Sequence, residues 1–264
     1  MHNSIDKAGR SFWDNFWEGH PLPEAVNPHK RSFKNHVDRR FHDHFVSVFA
    51  DADLGGHELL EVGCGRSRRL PYFAKEFGFS VTGIDYSPIG CDQARSILEK
   101  SGVRGRIVMS DFSTPPDDML EAFDVVVSFG VVEHFSDTAS CVAELSKFLK
   151  PGGLMITEIP NYVGLIGWLQ KRLCRSIFDV HVPLDRESLK AAHEQAGLLV
   201  LSCKYFHFDF STLGLWCWSE HRLYGAIRLV PLALSLPLWA LQRMKVPIKP
   251  NRVLSTYIFC EARK

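Results

Sequence analysis

The sequence predicts an α/β protein, a parallel sheet covered by helices on both faces. Three observations predict it. Short, near-continuous apolar runs alternate with helix-spaced segments from residue 57 to residue 206, the pattern of strands buried on both sides. The first run empties into a turn with two glycines, Glu61-Val62-Gly63-Cys64-Gly65. The next run ends in an acid, Asp85, 20 residues beyond Gly65. A strand, glycine turn, helix and second strand closed by an acid hold a nucleotide-like cofactor at the carboxyl ends of parallel strands.

The elements follow in order. Phe12, Trp13, Phe16 and Trp17 share one face of a short helix, which Pro21, Pro23 and Pro28 end. From Lys30 to Ala50 the apolar positions Phe33, Val37, Phe41, Phe45 and Val48 recur at helical spacing. His36, His42 and His44 are expected on that helix's surface. Strands are predicted over 57–63, 80–85, 105–110, 123–129, 154–159 and 198–206. Helices are predicted over 67–77, 88–101, 136–149 and 185–196. The second of these opens on Ser87-Pro88, a capping residue followed by a first-turn proline. Residues 207–250, rich in Trp, Leu and Pro, read as an insertion before a last strand at 253–260. The expected organisation is an N-terminal helical cap (1–50), a cofactor-binding core (51–206), an apolar lid (207–250) and a closing strand of the core (251–264).

Composition narrows the function. A chain of 264 residues with 45% hydrophobic content has ample core. Lys and Arg number 31 against 30 Asp and Glu, so the cationic excess of a nucleic-acid binder is missing and none is expected as partner. The first residues carry no apolar stretch after their charges, unlike a secretory leader. The seven cysteines include no Cys-x-x-Cys pair, which argues against a zinc site or disulfide scaffold and for a cytoplasmic location.

The glycine turn distinguishes among cofactors. Gly63 and Gly65 let the backbone approach a ligand. Dinucleotide sites use a third glycine where this chain has Arg68, so a pyrophosphate ligand is disfavoured. Glu61 places an acid where a cationic ligand group is welcome. Asp85 can accept from two ribose hydroxyls, and Tyr86 offers a purine a flat wall. Asp111-Phe112 closes the third strand with a carboxylate for an exocyclic amine and a ring for stacking.

Together with Phe123–Phe129 and Leu149-Lys150-Pro151-Gly152-Gly153, these residues resemble the class I S-adenosylmethionine-dependent methyltransferases, in order and spacing, over roughly residues 45–205. Ser67 stands where the family often has its third loop glycine. The resemblance implies a seven-stranded Rossmann-like sheet of order 3-2-1-4-5-7-6 with strand 7 antiparallel. It implies S-adenosylmethionine as cofactor, held by Glu61, Gly63, Cys64, Gly65, Asp85, Tyr86, Asp111, Phe112 and Phe129.

After the fourth strand comes Gly130-Val131-Val132-Glu133-His134-Phe135. The carboxyl end of a central strand faces the ligand crevice, so Glu133 and His134 are placed near the transferable methyl. Methyl transfer asks the enzyme to position an acceptor and remove its proton, and histidine suits that task near neutral pH. The segment resembles the Glu-His signature of ubiquinone-biosynthesis O-methyltransferases, in which a later histidine faces the acceptor; here that is His181, the second candidate base. Some relatives bind magnesium through Glu-x-x-Glu-His plus that later histidine. Gly130 occupies the first acid's place, and magnesium prefers carboxylates and water, so no essential metal is expected. Glu158, Asn161 and Tyr162 follow the fifth strand and could touch substrate.

Two apolar segments with basic borders, 162–178 and 223–249, occupy the places of the family's acceptor lid. Pro231, Pro237 and Arg228 make the second a poor spanning helix, while interfacial contact suits both. The expected acceptor is a small or lipid-like molecule carrying a hydroxyl, met in the cytoplasm or at a membrane surface. Methylation of nitrogen or carbon, or a non-catalytic cofactor-binding scaffold, remains the alternative. The residues leave oligomeric state open.

Overall fold

The computed structural model describes residues 5–50, 55–208 and 249–264, with a few positions between 233 and 244. The lid expected over 207–250 and the second apolar segment fall almost entirely outside these residues. Helix α1 (Arg10–Trp17) and helix α2 (His36–Val48) precede strand β1 (Glu58–Val62), helix α3 (Leu70–Phe77) and strand β2 (Ser80–Asp85). Helix α4 (Pro88–Lys100), β3 (Gly105–Met109), β4 (Phe123–Phe129), α5 (Thr138–Ser146) and β5 (Leu149–Pro160) continue the alternation. Then come α6 (Leu165–Leu173), α7 (Arg175–Asp179), α8 (Arg186–Gln195), β6 (Leu199–Phe206) and β7 (Tyr257–Arg263).

The sheet has seven strands in the order β3-β2-β1-β4-β5-β7-β6. Strands β1 to β5 pair in parallel, and β7 runs antiparallel between β5 and β6. Both faces are covered. On one, Leu145, Phe148 and Leu189 meet Leu60, Val62 and Val126. On the other, Phe41, Phe45 and Phe73 meet Leu59, Val127 and Phe259. Phe45 is fully buried, its ring centroid 5.0 Å from that of Phe73. Each phenylalanine buried this way contributes roughly 1.5–3 kcal/mol, so α2 belongs to the core it covers.

Local chemistry sets the ends. The Ser87 hydroxyl accepts from the Gly90 amide at 3.0 Å, as its capping role requires. Helix α3 begins at Leu70, later than expected, because the Ser67 hydroxyl accepts from the Arg69 and Leu70 amides. Asp137 caps α5 through the Ser140 amide at 3.0 Å, placing that helix inside the expected 136–149. Strand β5 starts at Leu149, which pairs with Phe123, so Pro151-Gly152-Gly153 lies within its span. Strand β7 is displaced toward the C-terminal side of the expected 253–260. Asn251 Oδ1 accepts from the Val253 and Leu254 amides at 3.0 and 2.9 Å, and this turn diverts two apolar residues to solvent.

The surface placement expected for the α2 histidines is corrected. His36 and His44 are buried and His42 is half-buried. His44 packs on the Phe259 ring at 4.6 Å and lies 3.3 Å from Glu261 Oε1. His42 Nδ1 meets the Tyr72 hydroxyl at 3.0 Å. The helix uses these rings as packing surface with a polar edge.

Candidate functional site

A cavity open to solvent lies at the carboxyl ends of β1, β2, β3 and β4. Each strand delivers its share by ending there. The turn after β1 brings Gly63 and Gly65, β2 brings Asp85 and Tyr86, the loop after β3 brings Asp111 and Phe112, and β4 brings Phe129. Gly63 has φ +72°, and a Cβ there would lie 2.5 Å from Val131 Cγ2. Conformation and space therefore both require glycine.

Asp85 is fixed by backbone. Its Oδ2 accepts from the Gly65 amide and its Oδ1 from the Ser87 amide, each at 2.8 Å. Burial pushes its carboxyl up to about 6, although both amides favour the ionised form. Asp111 Oδ1 accepts from the amide and hydroxyl of Ser113 at 2.8 Å. Phe112 meets Phe135 edge-on at 5.3 Å.

Two residues expected at the cofactor lie beneath this wall. Glu61 is buried under the turn, accepts from the Ser67 hydroxyl at 2.6 Å, and is pushed by burial up to about 7. The Cys64 side chain points to the opposite side, where a Cβ on Gly83 would meet its sulfur at 2.5 Å. Its contribution to the turn is backbone, the amide donating to Ile84 O at 3.2 Å.

The lining chemistry discriminates among ligands. The described wall carries three carboxylates, Asp6, Asp85 and Asp111, and neither Lys nor Arg. Such a wall repels a pyrophosphate and suits a cationic nucleoside with a vicinal diol. The residues thus fit S-adenosylmethionine. Asp85 suits the ribose, Tyr86 and Phe112 the purine, and the acidic setting the sulfonium and ammonium groups.

Beyond β4, a single 3₁₀ turn (Val132–His134) aims the candidate catalytic residues. His134 lines the cavity. Its Nδ1 donates to Val180 O at 2.9 Å, and His181 Nδ1 donates to Ile177 O at 2.6 Å. In both rings the lone pair therefore resides on Nε2. Burial lowers the His134 value, while burial and the neighbouring His134 push His181 down to about 3. Glu133 is buried with no hydrogen-bond partner for either carboxyl oxygen, and burial pushes it well above the usual carboxylate range. Glu133, His134 and His181 each offer one donor atom, all within 4.8 Å of one another. This set could hold a divalent cation despite Gly130, since two imidazoles and a carboxylate suit zinc or manganese better than magnesium.

Glu158, expected beyond the fifth strand, lies within β5, where it is buried and pushed by burial up to about 7. Asn161 Nδ2 donates to the carbonyls of Arg252 and Ser255 at 2.8 Å, which is a structural task. Tyr162 lies against His181 at 4.4 Å and Phe178 at 6.1 Å.

Sequence reasoning missed the N-terminal contribution. Asp6, Trp13 and Trp17 all line the cavity. The i, i+4 spacing of the two tryptophans was the available signal, but it marks only a helix face.

A family profile described as Methyltransferase domain matches residues 60–157. The chain is 31% identical over 214 residues to a ubiquinone biosynthesis O-methyltransferase of Methylobacterium sp. (strain 4-46), covering 74% of this chain and 80% of that one. It is 28% identical over 160 residues to a protein of the same name from Rhodopseudomonas palustris (strain BisA53), where the match spans 60% of each chain. Among solved structures, the [4+2]-cyclase SpnF matches with a TM-score of 0.63 and 18% identity, over 99% of this chain and 96% of that one. That likeness shows the fold.

Proposed function

Because the chain belongs to the class I S-adenosylmethionine-dependent methyltransferases, we propose that it transfers the methyl group of that cofactor to a hydroxyl of a small or lipid-like acceptor. The observation that carries this reading is the position of His134, a neutral imidazole on the same wall as Asp85 and Asp111. The cofactor supplies an electrophilic methyl on a sulfonium. Asp85 and Asp111 would orient the nucleoside, and Phe129 and Val131 line the same cavity as His134. His134, with Nδ1–H held by Val180 O, would take the acceptor hydroxyl's proton on Nε2, while loss of the methyl would leave the cofactor as the neutral thioether S-adenosylhomocysteine. His181, pushed down to about 3 and packed behind His134 at 4.3 Å, is the poorer base and buttresses the His134 ring.

A hydroxyl of a quinone precursor is the acceptor class suggested by the relatives' name, ubiquinone biosynthesis O-methyltransferase. The surface is compatible with a lipid-like one. Trp168 on α6 is 55% exposed with the Arg172 guanidinium 5.1 Å over its ring, and Leu165 donates to Val253 O beside exposed Val253 and Leu254. Aromatic, aliphatic and basic groups in this order suit the face of an anionic bilayer. No described helix is long and apolar enough to cross a membrane. Incubation with methyl-labelled S-adenosylmethionine and a polyprenylated catechol should give the labelled ether. Transfer to amines alone would overturn the O-methyl reading, and wild-type chain left in the supernatant by anionic liposomes would remove the membrane contact.

Unpartnered Glu133 favours a second reading. A divalent cation held by Glu133, His134 and His181 would supply Lewis-acid activation of the acceptor hydroxyl. A buried acid with no partner is forced toward its neutral form, and a cation would reverse that. Under this reading activity falls at least tenfold after chelation and returns with zinc or manganese. Full activity in a metal-free preparation favours His134 acting alone.

A further inference from the structure

The N-terminal segment crosses the cavity from its catalytic side to its cofactor side. At one end Asp6 bridges to Phe135, with the Ser136 amide donating to Ile5 O at 3.0 Å and the Lys7 amide to His134 O at 2.9 Å. The Lys7 ammonium donates to His181 O at 2.7 Å. In the middle the Tyr86 hydroxyl donates to Asp6 Oδ2 at 2.7 Å, and the Ser87 hydroxyl donates to Asp14 Oδ1. At the other end Gln93 donates to Trp17 O at 3.1 Å.

The tryptophans are seated specifically. The Trp17 ring fills a notch left by two glycines on different elements, Gly65 after β1 and Gly90 in α4, and a Cβ on either would overlap it. A Cβ on Gly65 would also lie 2.9 Å from Asp85 Oδ2, so the indole edge borders the ribose acid. Trp13 stacks on Trp17 at 5.5 Å and stands edge-on to His134 at 5.1 Å. One helix face thus touches both the cofactor wall and the candidate base.

This segment is built to come away as a unit. Helix α1 has eight residues and no side-chain cap, too short to hold itself without its packing. It is joined to α2 through a stretch containing Pro21, Pro23 and Pro28 and only a short 3₁₀ turn (Phe33–Asn35). It is held by a few hydrogen bonds, by the two indoles and by Phe12, which packs with Cys174 and Ile177.

Resting on the methyltransferase reading, we propose that residues 5–17 are a strap that completes the cofactor site, with Trp13 and Trp17 as its fourth wall, and that the strap lifts to admit and release the cofactor. Hydrogen–deuterium exchange of the full chain, with and without S-adenosylhomocysteine, tests the movement, and calorimetry tests the wall. Amides of 5–17 should exchange at least tenfold more slowly with the ligand present. Trp17→Ala should raise the Kd for S-adenosylhomocysteine at least tenfold through faster release, and Trp17→Phe should recover part of the loss. Asp6→Asn, on the opposite side of the cavity, should speed release severalfold and serves if the Trp17 variant fails to fold. Unchanged exchange over 5–17 together with an unchanged Kd in the folded variants overturns the strap alone. A wild-type chain that does not bind S-adenosylhomocysteine overturns the strap and the methyltransferase reading together.

Discussion

The rings of His134 and His181 lie 4.3 Å apart, each held through Nδ1 by a backbone carbonyl of the segment 177–180. They differ in surroundings, since His134 reaches the cavity while His181 is wedged against Tyr162. His134→Ala is therefore expected to lower kcat by roughly two to four orders of magnitude, with the Kd for S-adenosylhomocysteine nearly unchanged. His181→Ala, which removes the ring packed behind His134, should lower kcat by less than about tenfold. Steady-state kinetics with calorimetry separates the two, and equal kcat losses would remove the distinction.

Gly65→Ala should abolish cofactor binding while leaving a folded chain. The added methyl collides with Trp17 and crowds Asp85 Oδ2 at 2.9 Å, so the amide–carboxylate contact that presents Asp85 is disturbed. Thermal shift with added S-adenosylhomocysteine reads this directly: the wild type gains stability and the variant does not.

Glu61 and Glu158 are both pushed by burial up to about 7 from an ordinary 4.5. Between those values the folded chain keeps protons that the unfolded chain has released. Their contribution is complete below about 4.5 and is lost as pH rises to about 7. Glu158→Gln should therefore gain melting temperature relative to the wild type as pH rises from 5 to 7.5, a difference in which the opposing contribution of the buried histidines, held below their ordinary value, cancels. A pH dependence identical in the variant and the wild type would refute the assignment.

Asn161 is fully buried, and its amide satisfies the carbonyls of Arg252 and Ser255 that lead into β7. Asn161→Ala leaves both carbonyls without this donor and should cost about 2–3 kcal/mol. Urea denaturation should show a lower midpoint. A midpoint equal to the wild type's would mean that water replaces the amide freely.

Much of the sheet was legible because each strand is a short apolar run stopped by glycine, proline or an acid. The boundaries of β2 and β4 coincide with the expected ones. The Gly63–Gly65 turn, Asp85 and Asp111-Phe112 could be read as partners because strand ends in a parallel sheet converge on one crevice. Elements governed by side-chain to backbone bonds were not legible in this way. Apolar pattern alone places Val253 in a strand, whereas the Asn251 side chain turns the chain there. Trp13, Trp17 and Asp6 reach the cavity through the long return of the N-terminal segment, which no local spacing encodes. The burial of His44 depends on Phe259, more than two hundred residues away in sequence.

The placement of β7 between β5 and β6 has a consequence for synthesis. Strand β6 leaves the ribosome about fifty residues before the strand that must separate it from β5. At roughly 5–20 residues per second that interval lasts seconds. During it β5 presents a bare edge, and β6 lacks the antiparallel neighbour with which it pairs. The parallel half of the sheet can form as it emerges, whereas the other edge waits for residues 257–263. An open strand edge recruits foreign strands, so this protein is most vulnerable during synthesis in the interval between β6 and β7.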